Sequence, residues 1–174
     1  MSQREKISIA LLVLSDRVSR GERTDGVEER IEAFLKETGH EFDRVEVIPD
    51  EKELITEKLI EWADSGLFDL LLTSGGTGVS PRDVTPEATK PALDREIPGI
   101  PEAMRAESLK ITDRAVLSRG FAGIRKETMI VNLPGSPKAA VENLAVVFNA
   151  LIHGIAKAKG DPSDCDPASA KAGS

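Results

Sequence analysis

The sequence predicts a protein of the α/β class with a mostly parallel central sheet flanked by helices. Apolar runs of strand length alternate with segments of helical periodicity through the first half of the chain, as in a parallel sheet with right-handed crossovers. Two of the apolar runs lead into glycine-containing loops, and two others end at an aspartate. Because ligands bind beyond the carboxyl ends of parallel strands, we expect these loops and acids on one functional edge.

Length and composition favour one soluble domain. At 174 residues the chain suits a single core, and we assign residues 1–159 to one domain and 160–174 to a flexible tail. No apolar run reaches the ~20 residues that span a bilayer, so no membrane association is expected. Asp16 and Arg17 follow the first apolar run without a cleavage site, which argues against a signal peptide and favours a cytoplasmic location.

The charge and the rare residue types exclude several classes of protein. A net charge of -7 with 3% aromatic residues leaves neither a basic face nor stacking platforms, so no nucleic-acid partner is expected. Cys165 is the one cysteine and cannot form an internal disulfide, and with His40 and His153 it offers no zinc-ligand spacing. An anionic ligand must therefore be captured by loops and a few arginines.

Three strands alternate with two helices in the first half of the chain. The first strand, residues 7–14, is continuously apolar, as is typical of a strand buried on both faces. A helix over residues 27–39 and a second strand over residues 42–48 follow. Asp50 is a candidate N-cap for the next helix, and residues 67–72 form the third strand. The predicted inner face of that second helix consists of Leu54, Ile55, Leu59 and Trp62.

The second half is predicted to contain two more helices and a pair of strands. Prolines break the middle of the chain and leave a helix over residues 102–110. Residues 122–124 and 128–133 are predicted as a hairpin-like pair. Ser136 and Pro137 then suit the N-cap and first position of a final helix that reaches about residue 155. The apolar residues Ala103, Ala106 and Leu109 lie on one side of the predicted 102–110 helix.

The third strand leads into a candidate anion site that we call the glycine loop: Gly75, Gly76, Thr77 and Gly78. Glycine permits positive φ and close approach of a ligand, and successive N–H groups in such a loop bind anions. The hydroxyls of Thr73, Ser74 and Thr77 are candidate donors to a phosphate. Neither common nucleotide fingerprint fits, since no lysine follows the glycines and Pro81 replaces the third glycine of a dinucleotide loop. A simple turn is the alternative.

An arginine and an aspartate follow the glycine loop. Arg82 suits contact with phosphate, and Asp83 suits metal binding or proton transfer. Thr85 is the predicted N-cap of the next helix, with Pro86 at its first position. The alternative is structural, with Asp83 either pairing with Arg82 on the surface or capping that helix.

A second strand also ends at a candidate anion site, which we call the second loop: Pro134, Gly135 and Ser136. A helix N-terminus follows it and attracts anions. Two such loops on one edge favour a phosphate-binding role more strongly than either alone. Asn132 precedes this loop directly and Ser118 lies in the link at 115–121, and for both the alternative role is to stabilise a turn.

Two further strand ends should reach the same edge. Ser15 and Asp16 close the first strand, and Asp50 closes the second. Carboxylates at such a position suit Mg²⁺, which binds one or two carboxylates together with phosphate oxygens and water.

Several longer motifs carry a family resemblance. They are SDR at 15–17, PDE at 49–51, TSGGTGVSPRDVTPEAT at 73–89, ESLK at 107–110, LSRGFAGIRKETMIVNLPGSPKA at 117–139 and GDPSDC at 160–165. As a set they resemble the molybdopterin-binding MoaB/Mog family of molybdenum-cofactor biosynthesis, whose active members are molybdopterin adenylyltransferases. The likeness spans about residues 5–160. It implies a three-layer α/β sandwich that assembles as a homotrimer or homohexamer.

The resemblance also implies an activity. The chain would transfer AMP from Mg-ATP to the terminal phosphate of molybdopterin and release pyrophosphate. It assigns Asp50 and Asp83 to catalysis and to the positioning of Mg²⁺. Together with the loop and strand-end residues, the candidate substrate-binding set is Ser15, Asp16, Gly75, Gly76, Thr77, Gly78, Arg82, Ser108, Ser118, Asn132, Pro134, Gly135 and Ser136.

Two alternatives to this enzyme stay open. The protein could carry molybdopterin without transferring AMP, as inactive members of the family do, or it could be a general nucleotide-binding regulator. Besides further copies of itself, the implied protein partner is the molybdate-inserting enzyme.

Overall fold

A computed structural model describes residues 6–22, 24 and 26–162. The predicted tail lies outside the described residues from 163 onward, and so does Cys165. The strands are β1 (Ile9–Leu14), β2 (Arg44–Ile48), β3 (Leu70–Ser74), β4 (Arg95–Glu96), β5 (Ala122–Arg125) and β6 (Thr128–Leu133). The helices are α1 (Asp16–Ser19), α2 (Val27–Glu37), α3 (Lys52–Asp64), α4 (Thr85–Thr89), α5 (Gly99–Ser108) and α6 (Pro137–Ala158). Two 3₁₀ turns cover Lys90–Ala92 and Asp113–Leu117.

The strands form one sheet in the order β2-β1-β3-β6-β5-β4. β1 pairs in parallel with β2 and β3, and β3 pairs in parallel with β6. β5 runs antiparallel to β6 and β4, so the predicted hairpin-like pair is a hairpin at one side of the sheet. The predicted mostly parallel sheet is confirmed, and the carboxyl ends of β1, β2, β3 and β6 share one edge.

Helices cover both faces of the sheet and make three layers. Side chains of a strand alternate between faces, so Ile9 and Leu11 join the core beneath α2, α5 and α6. Ala10 and Leu12 join the opposite core, beneath α3. Trp62 of α3 belongs to this second core and is 2% exposed, which confirms its predicted place.

Several helix starts differ from the sequence predictions. The N-cap of α3 is Glu51 and not Asp50, because the Asp50 carboxylate accepts a hydrogen bond from the Asp16 N–H instead. The helix α1, which directly follows β1, was not predicted, and Ser15 caps it. The strand β4, of two residues, was not predicted.

The helix α5 shows the largest difference. It begins at Gly99 and not at residue 102, because proline is tolerated in the first turn of a helix, where its missing N–H needs no partner. Its buried residues are Ile100, Pro101 and Met104, whereas Ala103, Ala106 and Leu109 are exposed. Leu54 of α3 is likewise 38% exposed and not turned inward as predicted.

The helix α6 has 22 residues and is long and apolar enough, by length and composition alone, to cross a membrane. The core helix of a soluble protein passes the same test. Leu144, Phe148 and Leu151 of α6 lie in the first core with residues of the sheet and of α2. We therefore interpret α6 as a packing helix of this domain.

Asp64, at the end of α3, binds two cations of the β5–β6 hairpin. Its carboxylate accepts from Arg125 Nε (2.8 Å) and Nη2 (2.7 Å), and Lys126 Nζ lies 2.9 Å away. These contacts, led by the Arg125 hydrogen bond, lower the pKa of Asp64 to about 2.

A carboxyl with a depressed pKa stabilises the fold above its unfolded pKa and loses that effect as the pH falls through the folded pKa. We expect Asp64→Asn to lower the urea midpoint at pH 5 to 7. The difference from wild type should shrink below about pH 4, near the unfolded pKa of aspartate, and most of it should be lost by about pH 2. Urea titrations across this range test it, with Asp113→Asn as an exposed control. A difference that persists unchanged to pH 2 would contradict the ion-pair explanation.

Candidate active site at the carboxyl edge of the sheet

The structure brings the glycine loop and the second loop together. They follow the neighbouring strands β3 and β6, and the Gly75 N–H donates to the Leu133 carbonyl (3.2 Å). A Cβ on Gly135 would lie 3.2 Å from the Gly75 Cα, so the two backbones touch. The backbones of the two predicted anion sites are therefore in direct contact and form one surface.

Two residues of the glycine loop require glycine. Gly75 has a φ of 106°, and a Cβ there would lie 2.4 Å from the Leu14 carbonyl oxygen. Gly76 has a φ of 64°, and its Cβ would lie 2.3 Å from Thr85 Oγ1. The Thr85 hydroxyl donates to the Gly75 carbonyl (2.8 Å), so Thr85 fastens the loop to α4 and does not cap that helix as predicted.

Asp16 and Asp50 join the ends of β1 and β2. The Asp16 N–H donates to Asp50 Oδ2 (3.0 Å), and the Asp50 N–H donates to Asp16 Oδ1 (3.0 Å). The Ser15 hydroxyl accepts from the Val18 N–H (3.3 Å) and retains its own proton for donation. The strand ends predicted to converge are thus in contact.

Arg82 crosses from the glycine-loop segment to this pair of strand ends. Its Nε donates to Asp16 Oδ2 (3.0 Å), and its Nη2 donates to Asp16 Oδ1 (2.9 Å) and Glu51 Oε1 (3.0 Å). This hydrogen bonding lowers the pKa of Asp16. The predicted role of Arg82 in phosphate contact needs revision, because two carboxylates already hold its guanidinium.

Asp50 lies beside the glycine loop. Its Oδ1 would be 3.2 Å from a Cβ on Gly76. Burial raises the pKa of Asp50, and the charges of Asp16 and Asp83 raise it further while Arg82 lowers it. Three carboxylates, those of Asp16, Asp50 and Asp83, thus act on one another at this edge, and a bound cation there would be stabilised.

Asp83 lies beside the other end of the glycine loop. Its Oδ2 accepts from the Ser80 N–H (2.8 Å) and would be 2.9 Å from a Cβ on Gly78. Arg82 binds other acids, and the N-cap of α4 is Val84, so neither structural alternative considered for Asp83 is correct. The two candidate catalytic acids therefore flank one loop.

The donor set fits Mg²⁺ delivered with a phosphate. Within the described ranges, no group of three or more His, Cys, Asp or Glu side chains could hold a metal ion. Mg²⁺ does not need such a cage, because it binds through one or two carboxylates, substrate phosphates and water. Asp50 and Asp83 supply two carboxylates on either side of a loop with glycine backbone, where phosphate oxygens could complete the shell.

Five candidate substrate-binding residues line one cavity of about 270 Å³: Thr77, Gly78, Ser108, Ser118 and Pro134. The rest of its wall comes from α5, the 3₁₀ turn at 113–117 and the start of α6. Ser108 Oγ accepts from Asn143 Nδ2 (3.0 Å), which leaves the hydroxyl proton free to meet a ligand. The glycine loop thus borders this cavity through Thr77 and Gly78 and approaches the acids through Gly76 and Gly78.

Two arginines that were not among the predicted site residues also line the cavity. They are Arg105 of α5 and Arg114 of the 3₁₀ turn, and Arg105 Nη1 donates to the Ser118 carbonyl (3.4 Å). Guanidinium groups beside hydroxyls suit a phosphate-bearing ligand. No strand-end rule points to them, because they reach the cavity from the helical side.

Asn132 lies beneath the site and not at its surface. It is 1% exposed, its Nδ2 donates to Thr73 Oγ1 (2.9 Å) and Thr89 Oγ1 (2.9 Å), and its Oδ1 accepts from the Phe121 N–H (2.9 Å). Direct contact with substrate does not fit this geometry. Asn132 instead links β3, α4 and the residue that precedes β5.

Two other predicted phosphate donors are also buried. The Ser74 hydroxyl donates to the Pro134 carbonyl (3.0 Å), and Thr73 Oγ1 is the acceptor for Asn132. Of the three hydroxyls predicted to face a phosphate, only that of Thr77 borders the cavity. Ser136 precedes α6 as its N-cap without a side-chain hydrogen bond to the helix, so its hydroxyl lies beside an exposed helix N-terminus.

Arg119 makes contacts to the glycine loop that no spacing in the sequence indicates. Its Nε donates to the Gly78 carbonyl (2.6 Å) and its Nη2 to the Asp83 carbonyl (2.6 Å). Its Nη1 pairs with Glu87 of α4. The one available signal was its place beside Ser118 in the LSRG motif.

Comparison with known proteins agrees with this geometry. Residues 10–153 match the family described as "Probable molybdopterin binding domain". The chain belongs to this family. Molybdopterin adenylyltransferase from Helicobacter pylori strain J99 is 43% identical over 150 residues, which cover 84% of this chain and 85% of that protein. The enzyme of the same name from Escherichia coli K12 is 42% identical over 156 residues, which cover 86% and 80%.

One relative is much longer than this chain. Gephyrin from Dictyostelium discoideum is 42% identical over 175 aligned positions, which cover 95% of this chain but 24% of that protein. The chain therefore spans about a quarter of that relative, and we draw the comparison of activity from the bacterial proteins.

Solved structures share the fold. The molybdopterin biosynthesis enzyme MoaB from Thermus thermophilus has a TM-score of 0.83 and 46% identity, covering 91% of this chain and 99% of that one. The tungsten cofactor synthesizing protein MoaB from Pyrococcus furiosus has a TM-score of 0.79 and 29% identity, covering 89% and 98%. The predicted three-layer fold and family are confirmed.

Proposed function

We propose that this chain transfers AMP from Mg-ATP to the terminal phosphate of molybdopterin and releases pyrophosphate. One observation carries the proposal: a single glycine loop borders a cavity of about 270 Å³ and also lies between two carboxylates. A two-substrate phosphoryl reaction requires such an arrangement, because both phosphates must meet beside a charge-stabilising group. Relatives named for this activity support it.

We assign each substrate to one side of the glycine loop, according to the residues that lie on that side. The cavity lined by Ser108, Ser118 and Pro134 would hold molybdopterin, with its phosphate near Arg105. The triphosphate would lie along the glycine loop toward the acids, where glycine leaves room for phosphate and presents N–H groups. A phosphate oxygen of molybdopterin then forms a bond to the α-phosphorus, and the bond from that phosphorus to the leaving pyrophosphate breaks.

Asp50 and Asp83 would hold Mg²⁺ on the triphosphate. The metal supplies positive charge that offsets the charge developing on the leaving pyrophosphate. The other contribution of the protein is to align the attacking oxygen with the α-phosphorus, since this reaction depends on positioning more than on covalent catalysis. Arg82 would act through Asp16 and Glu51, holding the strand ends on which Asp50 lies.

The experiment is to incubate the protein with Mg-ATP and molybdopterin and to measure pyrophosphate and the mass of the pterin product. We expect both products to depend on both substrates and on Mg²⁺. Tight molybdopterin binding without pyrophosphate at any Mg²⁺ concentration would overturn the proposal and favour the carrier. ATP affinity without molybdopterin affinity would favour a nucleotide-binding regulator instead.

We also propose that the chain works as a homotrimer or homohexamer. An apolar patch beside the cavity, which we call the 109–117 patch, supports this: Leu109, Ile111, Val116 and Leu117, between 45% and 61% exposed. Exposed apolar patches commonly mark protein interfaces. Pro101, at the end of the proline-rich segment 91–101, is buried within its own chain and so does not contribute to such a surface. A cytoplasmic location and the molybdate-inserting enzyme as partner belong to the same proposal.

The assembly is tested by light scattering at micromolar concentration. We expect three or six times the chain mass of 18.7 kDa, and a shift toward monomer in Val116→Glu. Leu67→Glu is the matched control, because Leu67 is 69% exposed before β3, away from the patch. A wild-type monomer would contradict the assembly, and equal dissociation of both variants would contradict the patch.

A further inference from the structure

Arg119 joins three segments of the proposed active site through one side chain. Besides its bonds to the carbonyls of Gly78 and Asp83, it pairs with Glu87 of α4, and its own N–H donates to the Thr77 carbonyl (2.9 Å). The side-chain partners lie 32 to 41 residues away in sequence. Arg119 is therefore a cross-link between chain segments and not a local turn contact.

The segments that Arg119 joins serve different substrates in the proposed reaction. Thr77 and Gly78 line the cavity, and so does Ser118, the neighbour of Arg119. Asp83 carries a carboxylate that would hold Mg²⁺. The bonds of one guanidinium therefore contribute to the spacing between the cavity wall and the segment that carries this carboxylate.

The guanidinium is suited to this role because it is planar and presents five donors in a fixed geometry. Two carbonyls and one carboxylate around it are held at defined relative positions. A lysine ammonium at the same place is a point charge on a flexible stem, and it cannot reproduce bonds from three separate nitrogens.

We propose that Arg119 is a positioning residue of the transfer reaction, which sets the spacing between the cavity and Asp83 without touching either substrate. The inference rests on the proposed function. Misplacement of a reacting group by about 1 Å can reduce the rate ~100-fold, so the loss of this cross-link should appear in kcat. The Michaelis constant for molybdopterin should change little, because the cavity wall retains its own residues.

The test compares Arg119→Lys with Arg125→Lys. Arg125 is a matched control, because it also bonds to a carboxylate and a carbonyl but lies at the β5–β6 hairpin. We expect Arg119→Lys to lower kcat by ~10- to 100-fold with the KM for molybdopterin within about 2-fold of wild type. Arg125→Lys should retain wild-type kcat. Equal kcat in the two variants would overturn the proposal.

A double-mutant cycle separates positioning from a general loss of folded protein. If Arg119 acts through Asp83, then Arg119→Lys should cost less than about 2-fold when Asp83→Asn is already present, since coupled groups are non-additive. A purely structural role predicts that the two losses multiply. Glu87→Ala removes one anchor of Arg119 without changing either cavity or acid, and it should give a smaller fall in the same direction.

Binding measurements decide the inference independently of turnover. If the wild-type protein forms no pyrophosphate, the proposed function fails, and the Mg²⁺-dependent affinity for ATP is measured by calorimetry. Weaker Mg-ATP binding in Arg119→Lys than in Arg125→Lys supports the positioning role, and equal binding overturns it. Melting temperatures of both variants identify a folding defect, in which case Glu87→Ala serves as the test variant.

Discussion

Asp83→Asn is expected to lower kcat by about 100-fold or more, equivalent to roughly 2.7 kcal/mol of transition-state stabilisation. Asparagine keeps the shape of the side chain, and its Oδ1 can still accept from the Ser80 N–H that now bonds to Asp83. What disappears is the charge that would hold Mg²⁺. Molybdopterin affinity should therefore change little, and Asp50→Asn should show the same separation of turnover from binding.

Pyrophosphate release and melting temperature are measured on the same variant. Asp94→Asn is a matched control, since the Asp94 carboxylate also accepts from a backbone N–H, that of Lys126 (2.7 Å), but lies away from the glycine loop. A purely structural role for Asp83 predicts a stability loss of about 1 kcal/mol with normal turnover. Normal turnover in Asp83→Asn would therefore contradict the catalytic assignment.

Gly75→Ala is expected to destabilise the fold by about 3 kcal/mol or more. The φ of 106° is unfavourable for any residue with a Cβ, and the added atom would lie 2.4 Å from the Leu14 carbonyl oxygen. Backbone strain of this kind costs roughly 1–2 kcal/mol, and overpacking against atoms that cannot move adds roughly 1–3 kcal/mol. Leu14 ends a central strand, so its carbonyl cannot shift without disturbing the sheet.

Urea unfolding at matched protein concentration measures this effect. Gly21→Ala separates the two contributions, because Gly21 has a φ of 71° but nothing within 4 Å of its added Cβ. It should lose only the strain contribution, about 1–2 kcal/mol. If Gly75→Ala unfolds at the same midpoint as Gly21→Ala, the close approach to Leu14 is not energetically significant.

Much of the fold follows from local patterns. The unbroken apolar runs of β1 and β3, the helical stripe of α6 and the glycine stops after α2 and α3 each depend on residues close in sequence. The predicted start of α5 was wrong because neighbouring residues there favour different structures. The prolines at 98 and 101 suggest a break, yet both fit the start of α5, so the first turn of that helix was left out of the prediction.

The candidate site could be predicted to the level of its loops. Parallel strands place their carboxyl ends on one edge, so the meeting of Gly75 with Gly135, and of Asp16 with Asp50, follows from strand order. The family motifs identified the same residues. The positions of Asp50 and Asp83 beside the glycine loop agree with that expectation, and their catalytic roles stay predictions that Asp83→Asn and Asp50→Asn test.

The sequence by itself determined most of the strands, the longer helices and the glycine turns, because backbone preferences and hydrophobic periodicity act over a few residues. The tertiary structure alone decided which side chains line the cavity and which are buried. The amide of Asn132 could bind a ligand, but it is buried and hydrogen-bonded to three other residues. Arg82 and Arg119 instead bond to acids and carbonyls that lie 31 to 66 residues away in sequence. Such pairings depend on where the folded sheet places distant segments. No periodic pattern in the sequence indicates the hydrogen bonds between these segments.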